Sequence, residues 1–195
     1  EVPVFKGLGT MHTVVGVPVD YLYGVQAVDS VDGVLDAEVR EPAGFNINTA
    51  GTYKITYTAT DSAGNIGTQT EELQVHSSYE NATMLSSDDI MRMGSYIVKE
   101  LAKTTSMVDQ KAFARAIFDY VKTHGNYVNG NNKDDWQASA VDALMLGYGD
   151  SACYYGLSRL LLTCAGYDNM MVERQNPNIS EEDEEAAAQT WYAQH

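Results

Sequence analysis

Through residues 1–76 apolar and polar positions alternate with a period of two. HTVVGVPVDYLYGVQAVD (12–29) and GTYKITYTATD (51–61) are rich in Val, Tyr and Thr, the residues that suit a pleated, half-buried surface. In the second stretch Tyr53, Ile55, Tyr57 and Ala59 fall on one face, and Thr52, Lys54, Thr56 and Thr58 on the other. Turn signals separate the runs at Asp32-Gly33, Pro42-Ala43-Gly44, Ala50-Gly51 and Asp61-Ser62-Ala63-Gly64-Asn65. Several short strands at this spacing, with no helical segment among them, predict a β-sandwich.

After Val75 the period changes. HSSYENATMLSSDD (76–89) is polar and turn-like, and residues 77–86 are expected to link two domains, 1–76 and 87–195. Ser86-Ser87-Asp88-Asp89 offers a capping box, and Ile90, Met93, Ile97, Val98 and Leu101 follow at helical spacing. A second helix is expected from about Val108 to His124, with Gly125 at its end. A short one follows from Trp136 to Leu146, stopped at Gly147, and a third long helix from Ser151 to Gly166. NMMVERQ (169–175) reads as a strand.

The chain has 195 residues and a formal net charge of −15, with 3 basic and 10 acidic side chains before residue 77 and 9 and 17 after it. Without a basic patch, nucleic acid and anionic membrane surfaces are not expected partners. No run of 18 apolar residues is present, so no membrane insertion is expected. Chain start at Glu1, with no signal peptide, fits a mature or trimmed secreted protein. Cys153 and Cys164 are 11 residues apart on one expected helix, roughly 16 Å at 1.5 Å per residue. That separation is too long for a disulfide.

NTAGTYKITYTATDSAGNIGTQTEELQV (48–75) resembles the last hairpin of a bacterial immunoglobulin-like domain, and GVQAVDSVDG (24–33) resembles an earlier turn of the same family. The resemblance implies an immunoglobulin-like sandwich on an extracellular or cell-surface protein. Asp29, Asp32 and Asp61 then read either as ordinary turn aspartates or as a calcium site at the sandwich end; the turn reading is preferred, and no metal or other cofactor is expected.

The stretch GYGDSACYYGLSRLLLTCAGYDN (147–169) carries the candidate chemistry. A helix N-terminus stabilises a thiolate and points its N–H groups at a forming oxyanion. Gly149-Asp150-Ser151 sits at such a mouth. Cys153 joins Leu157, Leu160, Leu161 and Cys164 on an apolar stripe, about 200° round the helix from Ser151. Ser151 therefore occupies the mouth, and Cys153 is expected to pack.

DWQASAVDALMLGYGDSACYYGLSRLLLTCAGYDNMMVER (135–174) resembles the transglutaminase-like branch of the papain-type cysteine enzymes. The likeness extends over about 108–175, and Gly149-Asp150, Tyr154-Tyr155 and Gly166 fix its register. It implies an α+β transglutaminase/papain-like domain, visible mainly as its helical half and truncated at its C-terminal sheet. It places the family's nucleophilic cysteine on Ser151, whether by divergence or by deliberate replacement. Trp136, Asp150 and Tyr154 are implied cleft residues. His195, 44 residues on, is either the base or a chain-terminal residue without a role. The parent chemistry is acyl transfer or amide hydrolysis on a protein or peptide, possibly cell-wall-associated. A serine hydroxyl ionises far less readily than a thiol, so little or no activity is expected. The competing expectation is a non-catalytic adhesion or peptide-binding module.

Overall fold

The computed structural model describes residues 1–77, 85–128 and 135–170. The N-terminal part is two small sheets. β1 (Val4–Lys6), β3 (Gln26–Asp29) and β4 (Gly33–Leu35) form one, in the order β1-β3-β4. β2 (Met11–Val14), β5 (Glu38–Arg40), β6 (Gly51–Thr60) and β7 (Ile66–His76) form the other, in the order β2-β7-β6-β5. The β6–β7 hairpin is the longest pairing, from Gly51 opposite Val75 to Thr60 opposite Ile66. Ile55, Tyr57 and Ala59 are buried and Tyr53 half-buried, the face that the alternation specifies. Strand β2 lies parallel to β7, a long-range pairing that no local pattern announces.

The second part is helical: α1 (Ser87–Ala102), α2 (Gln110–His124), α3 (Trp136–Leu146) and α4 (Ser151–Cys164). The expected capping box forms: Ser86 Oγ accepts from the Asp89 amide at 3.2 Å, and Asp89 Oδ2 accepts from the Ser86 amide at 2.9 Å. Gly147 ends α3 at φ 65°, a left-handed conformation that a β-carbon would strain. Gly125 ends α2 in an extended conformation instead. The chain runs straight on into β8 (Asn126–Tyr127), which pairs in parallel with β9 (Tyr148–Gly149). In sequence NYVNGNNKDD (126–135) reads as a loop, whereas residues 126–127 pair as a short strand. The strand expected at 169–175 and most of the 77–86 linker lie outside the described residues.

The two parts share one core. Met11, Val14, Val17 and Val19 from the β part belong to the same buried cluster as Ile90, Met93, Ala140, Val141 and Leu160 from the helices. Polar bonds cross the seam as well. Asp20, buried, accepts from Ser95 Oγ at 2.6 Å and from Lys99 Nζ at 2.8 Å, and its own amide donates to the Arg92 carbonyl at 2.9 Å. The backbone amide of His12, on β2, donates to Asp89 Oδ1 at 2.8 Å.

Beside that last contact, His12 Nδ1 and His76 Nε2 approach to 3.1 Å with their rings stacked. Such a contact needs one nitrogen to donate and the other to accept, so it fails when both rings are charged. Burial first, and the neighbouring His12 second, hold the His76 pKa below its ordinary 6.5, while Asp89 opposes part of that shift. A folded-state pKa below the unfolded one means that protons favour the unfolded chain. The contribution of His76 is therefore complete above about pH 6.5 and is lost as pH falls through that value towards the folded pKa. The thermal midpoint should drop between pH 7 and pH 5.5, and more steeply than in His76→Gln; equal slopes in calorimetry would remove the assignment.

Candidate functional site

The first residue of α4 is Ser151, and it is exposed. Two residues in, Cys153 is buried at 2% exposure, in one cluster with Leu157 and Leu161. The mouth is built by the residues around it. Asp150 is the N-cap: its Oδ1 accepts from the amides of Ala152 at 2.9 Å and Cys153 at 3.2 Å. Two of the helix's unsatisfied donors are thereby occupied by a buried carboxylate. A carboxylate here places negative charge where an anion on residue 151 would form, and so opposes ionisation there. Tyr154 Oη donates to the Gly125 carbonyl at 2.6 Å, tying α4 to the end of α2. Between these elements lies a hollow of about 10 Å³, bordered by His124, Gly125, Tyr148, Gly149, Cys153 and Tyr154, with room for one water at most.

Trp136 is placed elsewhere. The Arg159 guanidinium lies 4.7 Å from its ring centroid, and its backbone carbonyl faces Gly156. Arg159 is eight residues along α4 from Ser151, about 12 Å along the axis. The structure therefore gathers Asp150, Ser151 and Tyr154 at the mouth and sets Trp136 two turns away. His195 lies outside the described residues.

Neither cysteine is arranged as a reactive thiol. Neither forms a disulfide among the described residues, and Cys164 donates to the Met91 carbonyl at 3.5 Å. Burial, and secondarily Asp20, push the Cys164 thiol up to about 12. A thiol held that high carries almost no thiolate at neutral pH.

A larger space opens at the seam between the two parts. Pro18, Tyr96, Glu100, Tyr120, His124 and Leu144 line a groove of about 390 Å³, a volume in the range of small-molecule sites at domain interfaces. Tyr120 and His124 stack along its wall with centroids 3.7 Å apart, and burial pushes the Tyr120 hydroxyl up to about 12. Sequence reasoning missed this groove. The Tyr120/His124 spacing on one helix face was readable, but the opposite wall comes from Gly16–Pro18, about a hundred residues away in the chain. At the far end of the sandwich, Asp29, Asp32 and Asp61 bring carboxylate oxygens within 4.8 Å of one another, the one group among the described residues arranged to hold a metal.

Residues 6–75 match the family described as bacterial surface protein, Ig-like domain. This agrees with the sheets seen there and leaves the helical part outside the match. No curated protein matches the chain. Two solved structures of Clostridium perfringens ZmpB are similar to part of it. One holds CBM51-2 in complex with GlcNAc and INT domains, at 23% identity over 39% of this chain and TM-score 0.34. The other holds the M60 catalytic domain with CBM51-1 and CBM51-2, at 24% identity over 40% of this chain and TM-score 0.34. The matches cover 17% and 8% of those chains, so this chain spans only a small part of their length. Among the described residues no helix is long and apolar enough to cross a membrane.

Proposed function

We propose that this chain is part of an extracellular bacterial surface protein in which an immunoglobulin-like module carries a transglutaminase-like helical module that has lost its acyl-transfer chemistry. In this reading Ser151 holds the nucleophile position and His195 the base position. The chain's remaining task is to hold a protein or peptide.

The observation that carries the reading is the pairing of Ser151 with Asp150. The exposed residue at the α4 mouth bears a hydroxyl, and the nearest thiol is packed away beneath it. The amides of Ala152 and Cys153, which would otherwise face a developing oxyanion, already serve the Asp150 carboxylate. A hydroxyl in that position has neither a low pKa nor free donors to support attack.

Ser151→Cys in the full chain tests it. The unaltered protein should neither transfer an amine to a glutamine peptide nor hydrolyse an amide. The new thiol, exposed at the mouth, should react with iodoacetamide at least tenfold faster than Cys153 and Cys164, with a rate midpoint no lower than the ordinary thiol value of about 8.5 because the Asp150 carboxylate opposes its ionisation. Labelling no faster than Cys153 would remove the nucleophile assignment. Turnover by the unaltered chain would remove the loss of chemistry.

The second reading, an adhesion or binding module with no catalytic ancestry at the mouth, is favoured by the seam groove. That groove is far roomier than the hollow at α4 and owes nothing to Ser151.

A further inference from the structure

Asp29 ends β3, Asp32 stands in the turn into β4, and Asp61 follows β6. The two turns are joined: Asp32 Oδ2 accepts from the Ser62 amide at 2.8 Å, and Asp32 Oδ1 from Ser62 Oγ at 2.9 Å. Each carboxylate oxygen offers two lone-pair sites, so the occupied ones can be counted. Asp29 Oδ1 takes the amides of Val31 at 2.8 Å and Asp32 at 3.0 Å and is full. Asp61 Oδ1 takes the amides of Ala63 at 3.0 Å and Asn65 at 2.7 Å and is also full. Asp61 Oδ2 takes only Asn65 Nδ2, at 2.7 Å. Each oxygen of Asp32 keeps a site open.

The remaining oxygen, Asp29 Oδ2, has no partner at all. It is sealed from solvent, on a residue that is 4% exposed. A buried acceptor without a donor costs free energy that a native structure ordinarily recovers from a water or an ion. The carboxylates that Asp32 and Asp61 bring within 4.8 Å of the Asp29 carboxylate are themselves acceptors, so neither can supply the missing donor. Among the described residues no lysine, arginine or histidine forms an ion pair with any of the three. Protonation does not relieve the crowding either. The amides of Asp32 and Val31 hold the Asp29 carboxyl below its ordinary range, and the Asn65 side chain does the same for Asp61. Both also feel the Glu1 α-ammonium, which makes no ion pair with either.

We propose that Asp29, Asp32 and Asp61 form a calcium site at this end of the sandwich, with Asp29 Oδ2 as its buried ligand. Three hard, ionised oxygens select a hard cation. Calcium takes such ligands at 2.3–2.6 Å in irregular shells, so two of them on opposite sides stand about 4.6–5.2 Å apart. Magnesium, at about 2.0–2.1 Å, would need the carboxylates drawn closer and in octahedral order. Bound calcium clamps the β3–β4 turn to the β6–β7 turn.

Isothermal titration of the full chain, after EDTA and dialysis, tests the site with calcium and magnesium chloride as probes. The expected Kd for calcium is about 10⁻⁴–10⁻³ M, the range of extracellular modules, with magnesium at least tenfold weaker. At 10 mM calcium the thermal midpoint should rise by about 3–11 °C, the larger shift belonging to the tighter end of that range. Asp29→Asn should abolish both effects. Asp32→Asn, at an exposed position, should weaken binding about tenfold while leaving the EDTA-state midpoint near that of the parent. If Asp29→Asn does not fold, Asp32→Asn alone decides. No heat and no shift at 10 mM calcium overturn the proposal, as does unchanged affinity in Asp32→Asn.

Discussion

Replacing Gly156 with alanine will lower the thermal midpoint by about 4–8 °C. A β-carbon at Gly156 would stand 2.4 Å from the Trp136 carbonyl oxygen and 2.9 Å from the Ala140 nitrogen, both in the backbone of α3. Alanine favours helix over glycine by about 1 kcal/mol, which alone would stabilise α4. Overpacking typically costs about 1–3 kcal/mol and occasionally more, and here the obstacle is backbone that cannot rotate aside. The steric cost exceeds the propensity gain, leaving a net loss of about 2 kcal/mol, and each kcal/mol moves a chain of this size by about 2–4 °C. Gly94→Ala is the control. Its new β-carbon would meet Cys164 Sγ at 2.7 Å and Leu160 Cγ at 2.8 Å, side-chain atoms that can shift, so its loss should be smaller. Circular dichroism melts of the two variants check the order. A Gly156→Ala protein as stable as its parent would contradict the α3–α4 packing.

Asp20→Ala should cost about 2–3 kcal/mol, and the protein should still melt in one step. The carboxylate is 6% exposed and ties together Lys99, Ser95 and the Leu22 amide, so its removal strands three donors. Breaking a fully buried ion pair costs about 3–5 kcal/mol, but the Lys99 side chain is 56% exposed and regains water, which lowers the figure. A single transition is expected because the sandwich and the helices share a core through Met11, Val14, Ile90, Met93 and Leu160. Two separate calorimetric transitions in the unaltered protein would show the halves to be independent.

Much of the local structure was legible because it rests on local causes. The burial of Ile55, Tyr57 and Ala59 follows from a period of two, and the α1 cap from Ser86 and Asp89 three residues apart. The division between exposed Ser151 and buried Cys153 follows from 100° per residue. What escaped depends on distant pairings. Nothing near Asp20 in the chain points to Ser95 or Lys99, 75 and 79 residues on. The parallel alignment of β2 with β7 and the seam groove arise only once the two parts dock. The Asp29, Asp32 and Asp61 turns were readable one by one. Their convergence at the sandwich end was legible only as the less favoured alternative that the family resemblance offered, and the Ser62 bridge that joins the two turns was not legible at all.

The bond from the His12 amide to Asp89 also decides how the sheet meets its surroundings. Strand β2 is a border of the four-stranded sheet, and a bare border is a template for another polypeptide. The N-terminus of α1 closes part of that border by accepting one of its outward donors. Loosening α1 would therefore do more than destabilise the helices: it would uncover an adhesive ribbon edge and favour intermolecular β-pairing and precipitation.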